Sequence, residues 1–168
     1  PDLPRRDRIL DQLRHRDLFA GTANERTGGA SGSVRTTARR EGTGYRLRGS
    51  KCFISNGGEA DFVIVYAVTN PDAGHRGISA FIVDKGTPGF TVRPGYKNVS
   101  HRGYNNCILE FTDCRVPASA VLGEVHKGFE VANEWLGATR LQVAATSIGR
   151  AERAFEHAKQ WSVDRSQF

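Results

Sequence analysis

The chain has 168 residues, 38% hydrophobic, 9% aromatic and 25% charged, with a formal net charge of +6. That apolar share is too high for a disordered chain, the length suffices for a core without metal or disulfide staples, and no apolar run approaches the roughly 18 residues of a membrane span. Three cysteines (Cys52, Cys107 and Cys114) cannot all pair, which points away from a disulfide framework and toward a reducing compartment.

The first sixteen residues are basic and polar, with no apolar segment of the kind a secretory leader carries. Within them, Ile9, Leu10 and Leu13 fall at helical spacing and Pro4 suits a first turn, so a short amphipathic helix is expected over 4–16. Residues 21–33, rich in Gly, Ser, Thr and Asn, have the chemistry of a loop. Eleven arginines against six acids in residues 1–50 carry most of the basic excess. Such a skew fits an anionic cofactor, a solvated face or nucleic acid. No nucleic-acid signature accompanies it: there is no zinc-finger spacing, RNP pattern or basic heptad run.

From Thr36 to Pro117 the pattern is one of short strands and turns. Tyr45–Arg48 alternates, Lys51–Ser55 continues past Gly49, and Asn56-Gly-Gly58 marks a turn. Asp61–Val68 is an apolar run of buried-strand length, closed by Asn70-Pro-Asp-Ala-Gly74, where Pro71 and Gly74 suit turn positions. Ile78–Val83, Phe90–Arg93 and Cys107–Phe111 complete the set. Strands at this spacing, with no helix between them, predict an antiparallel β-barrel or sandwich. After Gly123 the apolar period becomes helical: Phe129, Ala132, Leu136, Val143, Ala144, Ile148, Ala151, Phe155 and Ala158 form one stripe. A helix of about 35 residues is too long for a satellite on a small barrel and calls for partner helices from elsewhere. The fold class expected is therefore mixed α and β. No methionine occurs and the chain starts at Pro1, so it is expected to be an excerpt of a longer protein.

Catalytic motifs are sparse. The five histidines show no metal-ligand spacing, and no metal site is expected. There is no nucleophile elbow, no P-loop and no dinucleotide fingerprint between a strand and a helix. Gly28–Gly32 offers backbone N–H groups to a phosphate or is simply a loop. The cysteines read as small core residues.

The order of several longer motifs is more specific. Gly49-Ser-Lys-Cys-Phe-Ile-Ser-Asn-Gly-Gly58, followed by Ala60-Asp61, resembles the G-x-K-x-[WF]-I-[TS]-N-G-G-x-A-[DN] stretch of the acyl-CoA dehydrogenase family. Gly77–Phe90 resembles that family's next strand pair. Phe111-Thr-Asp-Cys-Arg-Val-Pro117, Val121-Leu-Gly-Glu124 and Lys127-Gly-Phe129 resemble its F-x-D-[CV]-x-V-P…LG…GKGF passage. Thr139-Arg140 and Asp164-Arg-Ser-Gln-Phe168 are similar to the two ends of the first long helix after the barrel. The resemblance runs from about Phe19 to the last residue.

The resemblance implies a flavoprotein of helical, β-barrel and helical domains. Residues 1–18 would be the tail of the first, 19–122 the flavin- and acyl-CoA-binding barrel, and 123–168 the first helix of the third. It implies FAD as cofactor, an acyl-CoA substrate of fatty acid metabolism dehydrogenated to the 2-enoyl-CoA, and an electron-transfer flavoprotein as acceptor. A homo-dimer or tetramer without a membrane span is implied, in the cytoplasm or, in a eukaryote, the mitochondrial matrix. By position, Thr22, Phe53, Ile54, Ser55, Arg165, Gln167 and Phe168 would contact cofactor, and Ser31 (or Ser33 in its place), Thr139 and Arg140 substrate. Four of them have a plainer reading. Phe53 is otherwise a core aromatic, Ser55 a cap on the Asn56-Gly57 turn, Arg165 a solvated helix-end charge and Arg140 a surface charge.

Two departures bear on function. The segment Thr22-Ala-Asn-Glu-Arg-Thr-Gly-Gly-Ala-Ser-Gly32 lacks the Pro and the Ser-Asp ending of the family's cofactor loop, which keeps a flavin monooxygenase or oxidase of the same fold as the alternative. Thr139 stands where a minority of members carry the general base, and a hydroxyl holds its proton too tightly at neutral pH to serve. The chain therefore carries no catalytic base of its own. A DNA-binding relative is the third reading, resting on the basic skew alone.

Overall fold

The computed structural model describes residues 20–23, 34–97, 99, 102, 103 and 105–167, the segment 20–23 and Trp135 by backbone alone. The helix expected over 4–16, the loop 24–33 with Ser31, and Phe168 lie outside the described residues. The chain divides into two compact units, Pro1–Val131 and Ala132–Phe168.

The first unit is a single sheet. Its strands are β1 (Ala20–Ala23), β2 (Thr37–Glu41), β3 (Gly44–Ser55), β4 (Phe62–Val68), β5 (Ile78–Asp84), β6 (Phe90–Pro94), β7 (Asn106–Pro117) and β8 (Val121–Leu122). They run in the order β6-β7-β3-β2-β4-β5-β8, with β1 on β4 off that path. This is the expected β domain, with an open ladder ending at β6 and β8 rather than a closed ring. Most pairings are antiparallel, but β1 and β2 each meet β4 in parallel. The strand at Ala20–Ala23 corrects the loop expected from residue 21. Its pairing partner is β4, more than forty positions away, so local turn chemistry gave no sign of it.

Alternation explains the core. In β2 and β4 side chains of one parity turn inward, in β3 and β7 the inward parity switches at an irregularity of their ladder, and Ala38, Tyr45, Leu47, Val63, Val65, Leu109, Phe111, Cys114 and Val116 join Phe81 and Val83 in one cluster. Tyr45 meets Phe81 edge-on with ring centroids 5.1 Å apart, and Phe90 stacks on Phe111 at the same separation. Burial pushes the Cys114 thiol up to about 11, as suits a small core residue. Gly49 lets the long strand β3 pass Thr36. Its φ is +138°, and a Cβ there would lie 2.8 Å from the Thr36 Cα, so no larger residue fits. The turn at Asn70 forms as expected: its side chain accepts from the Asp72 amide at 3.1 Å, and Gly74 takes a positive φ of 56°.

The chain leaves the sheet by a polar tether. The His126 amide donates to the buried Ser79 hydroxyl on β5 at 2.7 Å, and Thr69 Oγ1 lies 2.9 Å from His126 Nδ1. The helix α1 (Gly128–Asp164) follows, 37 residues long, close to the expected length. Its first turn belongs to the sheet unit, where Phe129 meets the His75 ring at 5.4 Å. In the second unit the apolar positions Val143, Ile148 and Phe155 are exposed, at 57%, 61% and 70%.

Candidate functional site

The most specific local feature is a break in the alternation of β3. Tyr45, Leu47 and Lys51 point inward at odd positions, so Phe53 would be expected to follow them into the core. Instead Ile54 is buried, at 2% exposure, and Phe53 stands outside, 43% exposed. The cause is in the ladder. Lys51 pairs with Leu109 and Ile54 with Cys107, so Cys52 and Phe53 together oppose Ile108 alone. This is a β-bulge, and one extra residue exchanges the two faces of the strand. Phe53 absorbs it in a left-handed conformation, φ 58°, which costs a bulky residue about 1–2 kcal/mol.

Lys51 anchors the inner side of the bulge. Its side chain is fully buried, and its ammonium donates to the Tyr66 carbonyl on β4 at 2.7 Å. In the sequence Lys51 is legible only as part of a strand, because alternation shows that a residue points inward but not what it reaches.

On the outer side, Phe53 stacks on Tyr96, with ring centroids 4.9 Å apart and planes 24° from parallel. An exposed pair of this kind contributes about 0.5–1.5 kcal/mol beyond area burial. Ser55, also exposed, lies two residues along the same face. The Asn56 turn beyond it closes through backbone, with the Glu59 and Ala60 amides on the Asn56 carbonyl at 3.1 Å. Asn106 pairs with Ser55 in the ladder, and its Oδ1 is buried with no hydrogen-bond partner among the described residues. Tyr96 and Asn106 were not singled out in the sequence; an aromatic after Pro94-Gly95 and an Asn at a strand start carry no signal that tells a site from a surface.

The other expected residues are distributed as follows. Thr22 is on β1, in register with Ile64 of β4. The Ile54 side chain belongs to the core, so only its backbone faces outward chemistry. Thr139, partly buried, and Arg140, exposed, lie on α1 in the second unit. Arg165 follows the helix end, its amide on the Trp161 carbonyl at 3.0 Å. With the Gln167 amide turned to suit, its oxygen accepts from Arg165 Nε and Nη2, both at 3.0 Å. Among the described residues no group of His, Cys, Asp and Glu could hold a metal ion, and no helix is long and apolar enough to cross a membrane.

A second outer patch is charged. Arg39, Arg46 and Arg115 form one row across β2, β3 and β7. Arg46 Nε donates to Glu41 at 2.7 Å, and Arg115 lies 3.3 Å from the same carboxylate. Arg48 pairs closely with Asp113, which Arg46 also approaches at 3.7 Å. The hydrogen bond from Arg46 holds the Glu41 carboxyl below its ordinary range, and that from Arg48 does the same for Asp113.

Comparison with known proteins settles the family. The family model of the acyl-CoA dehydrogenase middle domain matches residues 19–114, and that of the acyl-CoA dehydrogenase C-terminal domain matches 126–168. This chain belongs to the acyl-CoA dehydrogenase family. It is 44% identical over 154 residues to an acyl-CoA dehydrogenase of Bacillus subtilis, covering 92% of this chain and 40% of that protein. A solved acyl-CoA dehydrogenase from Geobacillus kaustophilus superposes with a TM-score of 0.85 at 35% identity, over 97% of this chain and 44% of that one. Butyryl-CoA dehydrogenase from Megasphaera elsdenii gives 0.82 at 37%, over 96% and 43%. The chain thus spans about two fifths of the length of these relatives.

The residues present fit a flavin on this chain's own terms. The bulge turns an aromatic ring to the outer face, and a hydroxyl follows two residues along that face.

Proposed function

We propose that this chain forms the flavin- and acyl-CoA-binding centre of an FAD-dependent dehydrogenase that introduces a double bond between the α and β carbons of an acyl-CoA thioester. The observation that carries the reading is the outward turn of Phe53 at the bulge, on the face that also presents Ser55. Family membership supplies the reaction class. When bound, FAD supplies the hydride acceptor of this chemistry.

The chain's residues divide the remaining work. Phe53 offers an apolar plane, Ser55 a hydroxyl that can donate or accept, and Ile54 its backbone. Thr22 is assigned to the same cofactor. Arg165, with Gln167 and Phe168 beside it, is assigned to the cofactor's pyrophosphate in a neighbouring subunit, because a guanidinium is a fixed fork of donors suited to phosphate. Ser31, Thr139 and Arg140 are assigned to the substrate side. Thr139 cannot remove an α-proton, so the base is assigned to a carboxylate outside these 168 residues. The domain division follows: 1–18 closes a helical domain, 19–122 is the binding domain, and 123–168 opens a second helical domain. A homo-oligomer, with an electron-transfer flavoprotein as acceptor, completes the proposal.

The test is made on the full-length protein. It is expected to purify with one FAD per chain, and the flavin band should bleach on anaerobic addition of an acyl-CoA. A colourless protein that takes up no FAD contradicts the reading. FAD that no thioester bleaches, in a protein that consumes oxygen with another substrate, replaces it with the oxidase or monooxygenase alternative.

A further inference from the structure

Phe53 is held on its inner side by covalent geometry, and on its outer side its ring stacks on Tyr96. Its neighbours Lys51 and Ile54 are fixed in the core, but the phenyl group itself is 43% exposed and turned away from everything they touch. Without a further contact, such a side chain samples several rotamers. Tyr96 supplies that contact, lying over one face of Phe53 within 24° of parallel and leaving the rest of the ring open.

Tyr96 arrives there by a close backbone approach. β6 ends at Pro94, paired with Cys107, and Cys107 pairs with Ile54, so three strands stand side by side. One residue on, the Gly95 amide donates to the Asn106 carbonyl at 2.8 Å, and Asn106 is the ladder partner of Ser55. A Cβ on Gly95 would lie 2.6 Å from Asn106 Oδ1 and 3.0 Å from the Asn106 carbonyl oxygen. A side chain at 95 would push the Asn106 amide aside and press on its carbonyl, and the next side chain along is the one that reaches Phe53.

We propose that Tyr96 is a positioning residue, whose ring fixes the plane that Phe53 presents to the flavin. It acts through Phe53 and not by its own contact with cofactor, and its phenol oxygen takes no part. The inference rests on the flavoenzyme reading above.

The experiment uses the full-length protein, stripped of flavin and titrated with FAD, reading the dissociation constant and the residual fluorescence of bound flavin. Tyr96→Ala is expected to raise the dissociation constant roughly two- to tenfold, the range an exposed aromatic pair spans, and to raise the residual fluorescence. Tyr96→Phe should match wild type in both. Tyr96→Leu covers Phe53 from water without imposing a plane and should resemble the alanine variant in fluorescence. Gly95→Ala should resemble Tyr96→Ala, because it displaces the same ring. In a Phe53→Ala background, Tyr96→Ala should have no further effect.

Three results overturn the assignment: equal behaviour of Tyr96→Ala and wild type, full rescue by leucine, or additive losses with Phe53→Ala. Each leaves FAD binding by the wild type intact, so the flavoenzyme reading survives. A wild-type protein that binds no FAD ends both together.

Discussion

Strand β3 presents two different surfaces at its two ends, and both depend on a bulge against β7. Near Gly44–Arg48 the ladder slips so that Arg48 opposes Thr112 and Asp113, with Asp113 at a positive φ of 52°. That bulge aims a carboxylate at the arginines of β3, and Glu41 answers from the other side. Near Lys51–Ser55 the second slip turns Phe53 outward, where the exposed Tyr96 meets it and, among the described residues, the buried Asn106 Oδ1 has no hydrogen-bond partner. The first patch closes on itself through ion pairs. The second presents an exposed aromatic pair and a serine hydroxyl. The same backbone device therefore serves surface electrostatics at one end and, in the function proposed, a binding face at the other, and chemistry rather than shape tells them apart.

The inner anchor of the aromatic end is where the largest effect is expected. Lys51→Ala removes a fully buried stem and leaves the Tyr66 carbonyl without its ammonium donor. A loss of about 3–5 kcal/mol is expected in denaturant unfolding. A loss under about 1 kcal/mol would show that the bulge is held by something other than this peg.

Phe53→Ala separates binding from folding. Because the ring is exposed, unfolding stability should change by no more than about 1 kcal/mol, while the dissociation constant of FAD rises roughly tenfold or more. A large loss of stability with unchanged FAD binding would return Phe53 to the role of an ordinary packing residue.

The charged end should respond weakly, and to different variables. Glu41 and Asp113 titrate below their ordinary range in the folded chain, so their contribution is present above that range and fades as pH falls through the lowered values. Asp113→Asn is expected to lower the melting temperature slightly at neutral pH and low salt, with the difference shrinking in high salt and vanishing in acid. A difference independent of salt and pH would mean that Asp113 matters for its turn geometry, not its charge.

What the sequence made legible follows from the same contrast. Continuous apolar runs located the core strands β4 and β5, where both faces are buried, and the helical stripe located α1 to within a few residues. The pattern left β1 unassigned because its pairing with β4 is tertiary, and β2 because Thr37–Glu41 carries almost no apolar signal. Phe53 and Ser55 were legible through the wording of a motif. Their shared outer face was not, because alternation continued from Lys51 would have buried Phe53; only the slipped register reveals the exchange. Tyr96 and Asn106 depend on contacts between residues about forty to fifty positions apart, which no local pattern encodes.

The central claim is that the outer face at Phe53 and Ser55 lies against a flavin. A structure of the full-length protein determined with FAD tests it most directly. The account predicts the isoalloxazine in van der Waals contact with the Phe53 ring and within hydrogen-bonding distance of the Ser55 hydroxyl. A flavin bound elsewhere, with Phe53 and Tyr96 still open to solvent, would contradict it.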